Sequence, residues 1–509
     1  MTGTVISGTR RIGGADLELR AARAARGLAG LGIGEGDAVA LLLRNDIAFF
    51  EATMAVGHLG AYPVPVNWHY SPAEAAYVLQ DCGARVVICH ADLYPIIADI
   101  LPQGVQVLIV AVPPELRAAY HIDAQAAAPP TGLPLWDSWV EGHAPHDAPP
   151  RPAPASMIYT SGTTGHPKGV RRQPPTPEMA AASLKMRKFI YGYQPGMRAL
   201  LTGPLYHSAP NMYGTFTLKF DGTLYLMPRF DAEQTLAMIA REGITHVHMV
   251  PTMFVRLLKL PQQVRASYDL SHIVRVNHGA APCPPEIKRQ MIDWWGPVLG
   301  EYYGGTETGT VVFCDSEQWL AHPGTVGRPV EGGHVRIYDA DGQVLPAGEI
   351  GEIFVRLDSF PDFTYQGRDA DRAACERDGL VSCGDIGYLD ADGFLYLCDR
   401  KRDMVISGGV NIYPAEIEAV LINCPGVHDC AVFGIPDTEF GESLMAAIEC
   451  EPGAALSEDA LRDWLDGRMT RFKIPRHFTF HDKLPREDSG KIFKRKLRDP
   501  YWEGTGRNI

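Results

Sequence analysis

Tyr159 to Val170 read YTSGTTGHPKGV, three glycines, a run of hydroxyl side chains and one lysine placed directly after a β-like run. Such a stretch is poor material for a core. Glycine lets main-chain N–H groups turn onto a ligand, Ser161, Thr163 and Thr164 add hydroxyl donors, and Lys168 adds a positive charge, so a polyphosphate is the natural guest. The P-loop pattern needs a Ser or Thr after its lysine, and here Gly169 follows Lys168. Taken alone, the segment also suits an ordinary exposed turn.

The 509 residues exceed one ordinary core and predict two or more domains. Lys and Arg total 47 against 60 Asp and Glu, a net charge of −13, which argues against a nucleic-acid partner held by general electrostatics. Ten cysteines are scattered without a C-x-x-C pair, as expected of small hydrophobes in a reducing compartment. The N-terminus lacks a signal-like charge and apolar pattern, and no apolar run is long enough to span a bilayer. A cytoplasmic protein without integral membrane association is the expectation.

Upstream of the glycine segment, LELRAARAARGLAGLG has helical apolar spacing and AVALLLRN reads as a buried strand. AFFEATMAVGHLGA, YPVPVN, SPAEAAYVLQDCG and ARVVICH continue the alternation, predicting an α/β fold with largely parallel strands. Gly142 to Ala155, GHAPHDAPPRPAPA, cannot continue either structure and is read as a loop. THVHMVP and GEIFVRL read as strands, and PAEIEAVLINC as a helix opened by proline. The charge cluster DRKRD, starting at Asp399, suits a linker between domains 1–401 and 402–509.

Four more segments follow in order: YYGGTETG (Tyr302 to Gly309), GDIGYLD (Gly384 to Asp390), DRKRDMVISGGVNIYPAEIE (Asp399 to Glu418) and PREDSGKIFKRKLR (Pro485 to Arg498). With the glycine segment they resemble the acyl-adenylate-forming superfamily, which includes acyl-CoA synthetases, luciferases and peptide-synthetase adenylation domains. The resemblance implies a large, multi-subdomain adenylating domain followed by a small, mobile α+β domain. It also implies a two-step reaction: a carboxylate attacks the α-phosphate of ATP with loss of pyrophosphate, and the acyl group then passes to coenzyme A. Such chemistry rests on positioning and charge neutralisation, with Mg2+ expected.

The resemblance casts Thr160, Ser161, Gly162, Thr163, Thr164 and Lys168 as phosphate binders, with Thr160 and Glu307 at the magnesium ion. Tyr303 would lie along the adenine, Thr306 would contact the α-phosphate, and Ala280 would join the nucleotide site. Asp385 matches the ribose acceptor and Arg400 an arginine near ribose and phosphate. Lys491 matches the lysine that reaches the carboxylate during adenylation, making Lys491, Glu307 and Thr306 the catalytic candidates. The hinge would fall on Arg402, and Gly409 would leave room for coenzyme A after rotation, unless SGG is a plain β-turn. Phe472 and Lys473 are weaker coenzyme A candidates.

For the acid, the resemblance points to His207, Asn211, Met212, Gly279, Gly304 and Gly305. No acidic residue lies between Tyr206 and Phe220, which disfavours an amino acid, whose ammonium would be buried unpaired. Gly305, with Ala280, Ala281 and Gly214, suggests a roomy pocket and a long or polycyclic hydrophobic acid. Two readings compete with a coenzyme A ligase: a ligase loading a carrier protein, and a catalytically silent protein retaining the fold. Monomer and homodimer are both compatible with the sequence.

Overall fold

The computed structural model describes residues 2–160, 167–486 and 492–503. The first α/β unit is a parallel four-stranded sheet in the order Tyr62–Pro65, Ala38–Leu42, Val86–His90, Gln106–Val110. Its strands read as continuous apolar runs because both faces are covered. Val39, Leu41, Val86 and Ile88 enter one core cluster, while Ala40, Leu42, Val87 and Cys89 enter another. The period of two along a strand divides them.

A nine-stranded sheet lies beyond the first cluster, which it shares through Ala199, Leu201, Leu224 and Leu226. Its parallel middle runs Leu299–Gly305, Arg275–His278, His246–Met249, Arg198–Leu201, Thr223–Leu226 and Thr4–Ser7. Asn45, 2% exposed, joins the two sheets: its amide donates to the Gly203 and Met227 carbonyls, and its oxygen accepts from the Leu205 N–H. That clamp fixes the turn leading to His207.

The parallel expectation largely fails beyond residue 330, where among the described residues only the strands Gly441–Cys450 and His477–His481 pair in parallel. Gly333–Tyr338, Gly351–Leu357, Leu380–Leu389 and Leu395–Arg400 pair antiparallel, and so do Val427–Asp437 and Gly441–Cys450. Tight turns, as between Leu389 and Leu395 and between Asp437 and Gly441, allow only that direction, whereas the helix Asp369–Ala374 lies between Gly351–Leu357 and Leu380–Leu389. The last sheet has its own core around Ile417, Leu421, Val432, Ile448 and Leu461.

Helix ends follow their sequences. Ser71 and Glu74 form a reciprocal capping box, and Thr176 caps Pro177–Tyr191, which stops at Gly192 in the left-handed region. Gly142 to Ala155 holds no helix or strand after the Trp136–Glu141 helix, as its prolines dictate. Between the large sheets and the last one, the Lys259 ammonium holds the Val427 and His428 carbonyls at 2.7 and 2.8 Å and Glu451 at 3.1 Å. No helix among the described residues is long and apolar enough to cross a membrane.

Candidate active site

The motif segments converge on one cleft of about 2420 Å³, which takes residues from both the large sheets and the C-terminal unit. Tyr303, Thr306 and Glu307 come from the end of the strand Leu299–Gly305 and the turn after it. Asp385 and Arg400 sit opposite each other on the paired strands Leu380–Leu389 and Leu395–Arg400.

Tyr303 Oη donates to Asp385 Oδ2 at 2.8 Å, and Arg400 Nε stands 3.6 Å from Asp385 Oδ1. Burial, reinforced by the Asp385 charge, pushes the Tyr303 phenol well above its usual pKa, so it remains a donor. Arg400 is held above its ordinary value: burial acts against the charge, but Asp385 and Asp403 outweigh it. The pair presents a carboxylate acceptor beside a planar cation.

Around Glu307 the contacts are equally specific. Thr160 Oγ1 and Tyr365 Oη each donate to Glu307 Oε1 at 3.2 Å, leaving Oε2 without a hydrogen bond among the described residues. A hard divalent cation takes such carboxylate oxygens, so Glu307 and Thr160 fit the expected magnesium. Thr306 Oγ1 donates to Ser208 Oγ at 3.0 Å. Lys168 pairs with Asp371 at 2.9 Å and lies over the Tyr365 ring. Ser161, Gly162, Thr163, Thr164 and Lys491 lie outside the described residues.

One residue that the motifs missed braces this end. Arg172, 5% exposed, donates through Nη2 to the carbonyls of Thr306 and Glu307. Burial lowers its pKa to about 10, with Glu307 the main opposing charge. It follows the glycine segment by two positions, and only the fold brings it to carbonyls 134 and 135 residues away.

Several glycines have local causes. A Cβ at Gly304 would lie 1.8 Å from the Gly309 carbonyl oxygen, at a register shift between the strands. At Gly279 it would meet the Tyr302 carbonyl at 2.7 Å. Two of the glycines expected to open a roomy pocket do not do so. A Cβ at Gly305 would strike Cys383 Sγ at 2.7 Å, and one at Gly214 would meet the Phe50 ring at 3.0 Å, so neither absence widens the acyl end. Ala280 adopts φ +65°, a conformation that costs an L residue about 1 kcal/mol, and faces the cleft.

His207, Asn211 and Met212 also line the cleft, at the start of the helix Ser208–Lys219. The Asn211 amide donates to the Leu205 carbonyl at 3.2 Å, bracing the turn. Gly409 is exposed and does not line the cleft; with Gly408 it turns the hairpin Val405–Ser407/Val410–Ile412 at φ +58° and +81°. Two successive positive φ angles require glycine on turn grounds alone. Phe472 is exposed, and Lys473 is engaged by Glu416 at 2.6 Å. Arg402 lies in the turn after Arg400, its carbonyl 3.4 Å from Arg498 Nη1. Within the basic C-terminal run, Lys494 forms a half-buried pair with Glu418 at 2.7 Å, which holds the lysine above its ordinary pKa against the opposing effect of desolvation.

Comparison with known proteins agrees with this geometry. Residues 3–359 match the family model described as AMP-binding enzyme, and residues 416–491 match the AMP-binding enzyme C-terminal domain. The chain is 34% identical over 488 residues to a feruloyl-CoA synthase of an Amycolatopsis species, covering 95% of this chain and 93% of that one. It is 30% identical to the fatty acid–[acyl-carrier-protein] ligase ScoC of Streptomyces coeruleorubidus, covering 96% and 91%. The ATP-bound structure of MatB from Rhodopseudomonas palustris superposes with a TM-score of 0.83 at 28% identity, covering 99% of this chain and 96% of that one. With both models matched in order and relatives aligned along nearly its whole length, the chain belongs to the AMP-binding enzyme family.

Proposed function

We propose that the cleft activates a carboxylic acid with an apolar body as its acyl-AMP, with release of pyrophosphate, and transfers the acyl group to coenzyme A. The observation that carries the reading is that two networks, Tyr303–Asp385–Arg400 and Thr160–Glu307–Tyr365, present Tyr303, Asp385, Arg400, Thr160 and Glu307 to one cleft. Asp385 accepts from the ribose hydroxyls, Arg400 offers its fork to ribose and phosphate, and Thr306 donates to the α-phosphate. Lys168 and the glycine segment bind the departing phosphates. Magnesium, when held by Glu307 and Thr160, neutralises phosphate charge.

Lys491 acts on the carboxylate during adenylation. Its described neighbours on either side, Arg486 and Ile492, line the cleft, which supports that role. In this reading domains 1–401 and 402–509 meet at Arg402, and rotation there withdraws Lys491 before the thiol enters. The apolar body is supported by the aromatic lining from Tyr191, Phe216 and Tyr302. Relatives differ in acceptor, one named for coenzyme A and one for a carrier protein.

A pyrophosphate-release panel of short, long, aromatic and polycyclic acids, each with and without coenzyme A, tests the reading. Consumption of free thiol is expected. Pyrophosphate release that leaves the thiol untouched favours a carrier-protein acceptor, and no release with any acid supports the silent protein.

A further inference from the structure

Away from the nucleotide, the cleft runs between the helices Pro177–Tyr191 and Ser208–Lys219. Ser183, Leu184, Arg187 and Tyr191 share one face of the first helix, and Ser208, Met212, Thr215 and Lys219 share one face of the second; all line the cleft. Ser208 touches Thr306, where the carboxyl group is activated on the reading above. Lys219 ends the same face about 16 Å further along the axis, at roughly 1.5 Å per residue.

Two cations meet at that far end. The Arg187 guanidinium lies 4.3 Å from the Phe216 ring centroid and the Lys219 ammonium 4.8 Å from the same ring. Arg187 is 8% exposed and its Nε donates to Ser183 Oγ at 2.9 Å. No carboxylate among the described residues pairs with either cation. The one acidic residue on these helices, Glu178, is exposed and does not line the cleft. Lys219 is exposed, with its ammonium set over the Phe216 ring. Desolvation lowers both side chains' pKa values, and for Lys219 the Arg187 charge adds to the effect.

Burying an arginine beside a second cation without a counter-charge is unfavourable, and a ring face offsets only part of the cost. Between the two ends, polar tips are already satisfied. Tyr191 Oη contacts Thr310 Oγ1 at 3.0 Å and His248 Nε2 contacts Tyr302 Oη at 2.7 Å, so a ligand passing them meets mainly ring carbon.

We infer that Arg187 and Lys219 bind a second carboxylate at the far end of the acid. The substrate is a dicarboxylic acid with an apolar spacer on the order of 10–15 Å, the helix span less the backward lean of the side chains. This rests on the acid-activation reading of the cleft. The guanidinium's planar fork matches a carboxylate, and the ammonium adds a point charge.

The test measures pyrophosphate release by the whole protein with ATP and Mg2+. Octanoate, decanoate and dodecanoate are each paired with the diacid of equal length, suberate, sebacate or dodecanedioate. At the best length kcat/KM for the diacid is expected to exceed that for the monoacid by about ten- to a hundredfold, the range of a charge-assisted contact. Arg187→Met should collapse the diacid to monoacid ratio toward unity, and Arg187→Lys should recover part of it. Lys219→Met, at an exposed position with little bearing on folding, should lower the ratio by about two- to tenfold. Monoacids preferred by the wild type at every length, or Met variants with the wild-type ratio, overturn the inference alone. Release from neither series but from another acid of the wider panel overturns the inference alone, and release from no acid of that panel overturns the acid-activation reading, and the inference with it.

Discussion

At the end of the cleft proposed for the nucleotide, Asp385 is held by Tyr303 and Arg400, Glu307 by Thr160 and Tyr365, and Lys168 by Asp371. At the acyl end Arg187 and Lys219 face one aromatic ring with no carboxylate between them among the described residues. The first region is wired before any ligand arrives, so its geometry does not have to be assembled during the reaction. The second leaves its charge for the ligand to complete. A constant partner can be met by a finished site, whereas a selective site gains discrimination from groups that the wrong ligand leaves unpaired.

The sharpest break in that comparison is expected at Lys491. Lys491→Ala should reduce acyl-AMP formation by about 10²–10⁴-fold while thioester formation from supplied acyl-AMP survives. Pyrophosphate release and thioester appearance, measured separately, check it; equal loss of both would remove the division of labour between the half-reactions. Glu307→Gln should cost about 10²–10³-fold in adenylation and raise the magnesium needed for half-maximal rate, read from a metal titration. An unchanged metal requirement would mean that Glu307 acts only through its hydroxyl partners.

Asp385→Asn keeps the shape but removes the charge facing Arg400, so the KM for ATP should rise about ten- to a hundredfold, the range of a hydrogen bond to a charged group. A similar change at the acyl end should leave that KM alone. Gly409→Ala is the mildest case. Its φ of +81° predicts a loss of about 1 kcal/mol in a thermal or denaturant melt, with both half-reactions retained. Selective loss of thioester formation would instead support the coenzyme A contact.

The contrast also explains what the sequence could tell. Tyr303, Asp385 and Arg400 could be picked out because each sits in a short motif segment, and the fold brings Tyr303 and Asp385 into contact across 82 residues. Arg172 could not, since its partners are two carbonyls, and a carbonyl leaves no mark on residue identity. Arg187 sits in LKMRKFIY, where flanking Lys185 and Lys188 make it read as one more solvated cation. Only packing against Phe216 separates it from them. The early α/β alternation reads directly into strands because both faces are buried, while the later antiparallel sheets depend on turns whose direction periodicity does not encode. Glycine misled most: Gly305 and Gly214 suggest open space, but their missing side chains would face Cys383 and Phe50.

Lys259 caps the helix Pro251–Leu258 in the large unit while its ammonium grips two carbonyls and a carboxylate of the last sheet. A swing about Arg402 that carries that sheet away would strip one ammonium of three acceptors together, so the catch lets go in a single event. Two of its three acceptors are main-chain carbonyls, indifferent to side-chain drift along the strand. The Glu451 share is ionic and partly exposed, so added salt should loosen the catch and shorten the time the enzyme dwells between its two chemical tasks.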